Sequence, residues 1–122
     1  MRSTESFAAK LLFQFRVVVG HESGKRRKCE ERIILIKAKT AREALEKAKR
    51  RGLESEHNYL NDEQNQVYFE FIGVLDLLRL GPECDKGDVW YEIKELLLPM
   101  ERKEKLIPPE EKLNAIYWER KQ

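Results

Sequence analysis

Alternating apolar residues predict that the first segment of the chain is a β-strand. Every second position from residue 7 to residue 19 is apolar, namely Phe7, Ala9, Leu11, Phe13, Phe15, Val17 and Val19. The same period of two returns in residues 29–39, with two isoleucines on one side. This period is the spacing of side chains on one face of a strand. The intervening residues 20–28 include two glycines, which favour turns, so the pattern predicts an antiparallel hairpin.

The apolar spacing then changes to that of a helix over residues 40–52. The apolar stripe recurs at intervals of three and four and consists of Ala41, Ala44, Leu45 and Ala48. Thr40 and Glu43 match a capping box at the start of the helix, and Gly52 stands where a terminating C′ glycine is expected. Because the stripe is made of small residues, we expect the helix to lie close against a sheet.

The rest of the chain predicts three more strands and a short final helix. The pattern indicates a short strand, a polar turn at Asn61–Asn65, long strands at Gln66–Leu77 and Asp88–Leu96, and a helix at Glu110–Glu119.

The resulting order, ββαβββ, predicts an α+β domain with a single antiparallel β-sheet and one helix packed on one face. Residues 1–98 form this domain in our prediction, and residues 99–122 form a C-terminal extension.

Composition narrows the class of protein. With 122 residues, of which 41% are hydrophobic and 38% charged, the chain fits one small domain with a highly charged, solvated surface. No apolar run approaches the roughly 18 residues that a membrane-spanning helix needs. The isolated cysteines, Cys29 and Cys84, and the isolated histidines, His21 and His57, lack ligand spacing. We therefore expect reduced thiols, no metal or cofactor, and a cytoplasmic location.

Four consecutive basic residues, Lys25, Arg26, Arg27 and Lys28, stand in the expected hairpin loop. Together with Arg50 and Arg51 they would suit contacts with nucleic acid phosphates. Glutamates flank the run, however, and basic residues at a helix end also favour the helix dipole without any ligand. A solvated turn is the favoured interpretation, and phosphate or an acidic protein partner are the alternatives.

Asp76 together with Glu92 and Lys94 forms the only enzymatic hypothesis. An acid on one strand and a Glu-x-Lys on its neighbour is the arrangement of metal-dependent nucleases, where carboxylates hold a divalent ion. The pattern is permissive in so charged a chain, and Glu-x-Lys is common on solvated strands. A non-enzymatic protein is therefore the favoured reading.

Aromatic residues indicate a surface for protein partners. Aromatic side chains are concentrated in "VYFEFIG" and "VWYEI", and one helix covers only one face of a sheet. An exposed aromatic patch on the other face would suit a partner. Our candidates for this surface are Tyr68, Trp90, Glu92 and Lys94. Glu70, between aromatics, is expected to form a structural ion pair with Lys10 or Arg16.

The chain resembles a family of small bacterial proteins known as domain of unknown function 4288. The resemblance rests on "AAKLLFQFRVVV", "CEERIILIKAKTAREALEKAKRRG", "YLNDEQNQVYFEFIGVLDLL", "VWYEI" and "RKEKLIPP", roughly residues 7–109. It implies a small intracellular α+β protein and no particular activity. The sequence therefore predicts an interaction module that forms a homodimer or binds another protein, with no membrane contact and with nucleic acid as a less favoured partner.

Overall fold

A computed structural model describes residues 3–80 and 91–121, and for residues 91–93 the backbone alone. Its elements, in chain order, are β1 (Glu5–Val19), β2 (Glu22–Ser23), β3 (Arg26–Ala38), α1 (Ala41–Glu54), β4 (His57–Leu60), β5 (Gln66–Arg79), β6 (Tyr91–Leu97), α2 (Lys103–Leu106) and α3 (Asn114–Lys121).

The described strands form one antiparallel sheet, as the sequence predicts. The strand order is β4-β5-β1-β3-β6, with the two-residue β2 paired to the end of β1. The long β1 lies at the centre, between β3 and β5. This confirms the α+β class with a helix on one face of a single sheet.

The main core lies between α1 and one face of the sheet. Alternate positions of β1 and β3 point towards the helix, and the fully buried residues include Phe7, Ala9, Leu11, Phe13 and Ala38. The helix contributes the predicted stripe of Ala41, Ala44, Leu45 and Ala48, all of them buried. Such small side chains bring the helix axis close to the strands, as expected.

Thr40 begins α1 in the predicted way, but Gly52 does not end it. The Thr40 hydroxyl accepts a hydrogen bond from the Glu43 backbone N–H at 3.1 Å. The helix runs on to Glu54, with Ser55 as its C-cap, so the predicted C′ role of Gly52 is wrong. A Cβ at Gly52 would lie 2.5 Å from the Phe71 ring. Close packing against β5 therefore requires this glycine.

The predicted hairpin is present, but its loop is shorter than the sequence suggested. Residues 20–28 were expected as one loop, whereas Glu22 and Ser23 pair with the end of β1, and β3 already begins at Arg26. The strand therefore includes most of the basic run and turns alternate residues of it towards opposite faces.

The C-terminal segment passes from one face of the sheet to the other. The face opposite α1 is called the second face below. Met100, Leu106 and Ile107 pack there against Leu12 and Ile72, which covers the middle of a face expected to be open.

Further along, the chain returns to the α1 side, where Leu113, Ala115 and Ile116 join the main core. The predicted helix over residues 110–119 is a 3₁₀ turn at Glu110–Lys112 followed by α3.

Candidate functional site

A polar network lies on the second face around Glu70. Its carboxylate accepts hydrogen bonds from Gln14 Nε2 at 2.7 Å and from Arg16 Nε and Nη2 at 2.9 and 3.0 Å. The Arg16 guanidinium also lies over the Tyr68 ring, 4.6 Å from its centroid. The hydrogen bond from Arg16 lowers the pKa of Glu70. This confirms the predicted ion pair with Arg16.

Arg27 joins this network to the C-terminal segment. Its side chain is only 4% exposed, and both terminal nitrogens donate to Glu101 at 2.9 Å. Arg27 Nη1 also donates to the Gln14 amide oxygen at 3.1 Å, and Arg27 Nε donates to the Gly24 carbonyl at 2.7 Å. A two-pronged guanidinium contact fixes geometry as well as charge, so Arg27 anchors the segment that crosses the face.

A second charged group on this face centres on Glu31. Its buried carboxylate pairs with Lys10 at 3.1 Å and also with Lys94. Burial acts to raise the pKa of Glu31, but the ammonium groups of Lys94 and Lys10 outweigh it and lower the pKa on balance. Like Glu70, this carboxylate is held as an anion by its cations and serves as a structural partner.

At one end of the second face, which no described segment covers, an apolar row runs across three strands. Ala8 of β1 pairs in register with Leu78 of β5 on one side and with Leu35 of β3 on the other. Leu78 is 42% exposed, and Ala8 and Leu35 are half-buried. Side chains that share a register row lie on the same face. The row therefore forms a continuous apolar strip at the end of the sheet.

The candidate partner residues lie apart from one another on this face. Tyr68 stands at the start of β5, half-buried under Arg16, whereas Lys94 lies three strands away on β6 and contacts Glu31. Glu92 pairs with Glu31 in backbone register. Trp90 and the Glu92 side chain lie outside the described residues. The structure thus brings Lys94 and Tyr68 to one face without placing them in one patch.

The strand order separates the residues of the nuclease hypothesis. Asp76 lies on β5 and Lys94 on β6, with β1 and β3 between them. At about 4.8 Å per strand step, three steps separate the two strands by about 14 Å. Asp76 Oδ1 accepts instead from the backbone N–H groups of Leu77 at 2.8 Å and Asn114 at 3.3 Å. A metal ion shared by Asp76 and Glu92 would require β5 and β6 to be neighbours, and they are not.

The basic run does not form one exposed surface. Arg26 faces solvent and pairs with Glu95 at 3.7 Å, whereas Arg27 is buried on the second face. Arg50 and Arg51 are exposed on α1, where they line a shallow groove with Lys47. A contact with phosphates through Lys25 and Lys28 stays a prediction, but Arg27 is occupied by Glu101.

Cys29 is a buried thiol, and burial raises its pKa to about 11. This suits the expected structural role, since a thiol with a raised pKa is a poor nucleophile. Cys84 lies outside the described residues.

Residues 3–80 and 91–121 contain no group of three or more potential metal ligands. No helix within those same ranges is long and apolar enough to span a bilayer.

The apolar row of Ala8, Leu35 and Leu78 escaped the sequence analysis. A signal for it exists, because β1 and β3 carry apolar residues on both sets of alternate positions. Strands with two apolar faces indicate contacts on both sides of the sheet.

The comparisons with known proteins identify a family and nothing finer. A family model described as "Domain of unknown function (DUF4288)" matches residues 6–90, which confirms the resemblance. Searches of the curated proteins and of the solved structures find no match. The matched residues end before β6, so the segment that crosses the second face lies beyond them.

Proposed function

We propose that this chain, which belongs to the DUF4288 family, is a non-enzymatic binding module that forms a homodimer through the end of its second face that no described segment covers. The observation that carries the proposal is the apolar row of Ala8, Leu35 and Leu78. A continuous apolar strip on an otherwise charged protein is a feature of interaction sites. A two-fold axis through the strip would bury it against its own copy.

The charged groups of the second face support binding rather than catalysis. Glu31 and Glu70 have pKa values below the usual range of a glutamate, and each is held by basic partners. General acid–base catalysis near neutral pH works best when the pKa lies near the working pH. The two carboxylates are therefore suited to holding side chains of the second face in place through ion pairs, rather than to transferring protons.

Light scattering behind size exclusion tests the homodimer. The wild-type chain is expected at twice its own mass at both low and high salt, because apolar burial is not screened. Leu78→Glu is expected to give a folded monomer, whose thermal stability no longer depends on protein concentration. Leu97→Glu is the matched control, since Leu97 is also 42% exposed but lies on β6, away from the row. A wild-type protein that is monomeric at high concentration would contradict the proposed homodimer.

Trp90, the sequence's first candidate for this surface, supplies a second variant. If Trp90→Ala also yields a folded monomer, the dimer surface extends beyond the apolar row.

The two rival hypotheses have distinct readouts. The nuclease hypothesis requires divalent metal and predicts loss of activity in Glu92→Gln. The nucleic acid hypothesis predicts retention on heparin that weakens when Lys25 and Lys28 are neutralised.

A further inference from the structure

The strand β4 is an edge of the described sheet and pairs with β5 alone. The turn that follows is closed by a hydrogen bond from the Asn61 N–H to the Asn65 carbonyl at 3.0 Å. In an antiparallel ladder such bonded pairs alternate with unbonded ones. The backbone N–H and C=O groups of Asn58 and Leu60 therefore point away from β5. Such a row of outward groups is a template for another strand.

The side chains of β4 add apolar surface to this edge. All four residues are exposed, including Tyr59 and Leu60. The His57 ring lies 5.9 Å from the Tyr59 ring and 5.0 Å from the Phe69 ring, so aromatic groups line one face of the edge. Leu60 stands on the other face, since side chains alternate. An added strand would thus find apolar contacts on both faces.

The surroundings of β4 are acidic. Residues 54–63 contain four carboxylates and neither lysine nor arginine. Glu56 accepts a hydrogen bond from the Phe71 N–H at 2.9 Å, which holds its charge beside the edge. Glu54, Asp62 and Glu63 form no ion pair with a described lysine or arginine. The charge at both ends of β4 is therefore available to a partner.

This charge disfavours a second copy of the chain at the same edge in the central register. A two-fold antiparallel pairing that aligns Asn58 with Leu60 of the copy sets Glu56 opposite Asp62. Because the pairing is two-fold symmetric, Asp62 of the first chain likewise lies opposite Glu56 of the copy. Like charges directly opposite one another in a sheet are destabilising. The complementary occupant is a strand with basic residues at both ends.

We propose that the β4 edge binds an extended, basic segment of another protein as an additional strand. Backbone hydrogen bonds with Asn58 and Leu60 would supply the pairing, and lysines or arginines would meet Glu56 and Asp62. This surface is distinct from the second face, so the inference is independent of the proposed homodimer.

The first test measures peptide binding to the full chain by fluorescence anisotropy. The probe is a labelled, end-capped peptide, Lys-Lys-Val-Thr-Val-Thr-Lys-Lys. One control replaces its lysines with glutamates, and a second carries N-methyl groups on all four central residues. The second control keeps the charge, but its four central residues cannot donate backbone hydrogen bonds. We expect binding of the unmodified basic peptide alone, with an affinity that falls as salt rises.

Variants of the chain locate the site. Asp62→Asn combined with Glu63→Gln is expected to weaken binding about tenfold, because exposed ion pairs are individually weak and the variant removes two carboxylates together. The matched control, Glu104→Gln combined with Glu111→Gln, removes two exposed carboxylates of the C-terminal segment and should leave binding unchanged. Hydrogen exchange should slow at the Asn58 and Leu60 amides when the peptide binds.

Three results would overturn the inference. Equal binding of the N-methylated peptide would show attraction by charge without strand pairing. If the basic peptide does not bind at low salt, the acidic residues beside β4 only prevent sheet edges from pairing with one another. Slow exchange at Asn58 and Leu60 in a dimer without peptide would assign the edge to a second copy.

Discussion

At the scale of single residues, the structure gives Gly52 a different role from the one its sequence position suggests. Glycine inside a helix normally lowers stability relative to alanine by up to about 1 kcal/mol. Here a Cβ would lie 2.5 Å from the Phe71 Cδ1 and Cε1 atoms. The glycine therefore allows α1 to approach β5 closely.

Gly52→Ala is accordingly expected to destabilise the protein, by about 1–3 kcal/mol, because the new methyl group overlaps the half-buried Phe71 ring, which packs against the core. The free energy of unfolding in urea measures the effect. Gly24→Ala is the control, since the nearest atom to its added Cβ is the Arg26 carbonyl oxygen at 3.8 Å. Phe71→Leu should reduce the penalty in a double variant. A more stable Gly52→Ala protein would contradict the packing argument.

At the scale of elements, the C-terminal helix belongs to the core although the family match ends at residue 90. Leu113, Ala115 and Ile116 are buried against the α1 side of the sheet. Ion pairs of Glu110 with Lys49 at 2.6 Å and with Arg42 at 3.0 Å hold the preceding turn to α1. The segment thus contributes both packing and charge to the domain.

Ile116→Ala is expected to lower stability by about 2–5 kcal/mol, as for other buried large-to-small changes. Tyr117→Ala, one residue further on but exposed, should have a much smaller effect. Thermal unfolding followed by circular dichroism compares the two variants. Equal effects of both substitutions would mean that α3 does not pack against the core in solution.

At the scale of the whole molecule, lowered carboxylate pKa values link stability to pH. The hydrogen bond from Arg16 lowers the pKa of Glu70, and that of Glu31 is lowered because Lys94 and Lys10 outweigh its burial. An unfolded glutamate titrates near pH 4.3. The stability that these groups contribute is present above that value and is lost as pH falls through the lower, folded pKa values.

The free energy of unfolding is therefore expected to fall steadily from about pH 5 downward. Glu70→Gln should be less stable than wild type at pH 7, because Arg16 loses its counter-charge, and its pH dependence should be shallower. Urea titrations at several pH values measure both. Glu111→Gln, which changes an exposed carboxylate, should leave the profile unaltered. A wild-type stability that is flat down to pH 3 would refute the linkage.

The sequence by itself determined the local features of this protein. The alternation in β1, the Thr40 cap and the alanine stripe of α1 depend on residues two to four positions apart, so each could be predicted before the structure was known. The pairing of Arg16 with Glu70 was also accessible, since both belong to recognisable strands. For the candidate site, the sequence directed attention to the aromatic residues of the sheet, whereas the apolar row became visible only in the strand register.

Only the tertiary structure decided which strands are neighbours and which surfaces remain exposed. It separated Asp76 from Lys94 by two strands, buried Arg27 beneath Glu101 and laid residues 99–107 over the middle of the second face. Strand order and burial arise from packing between segments far apart in the chain. Periodicity reports the face of each residue but carries no information about the element that covers it.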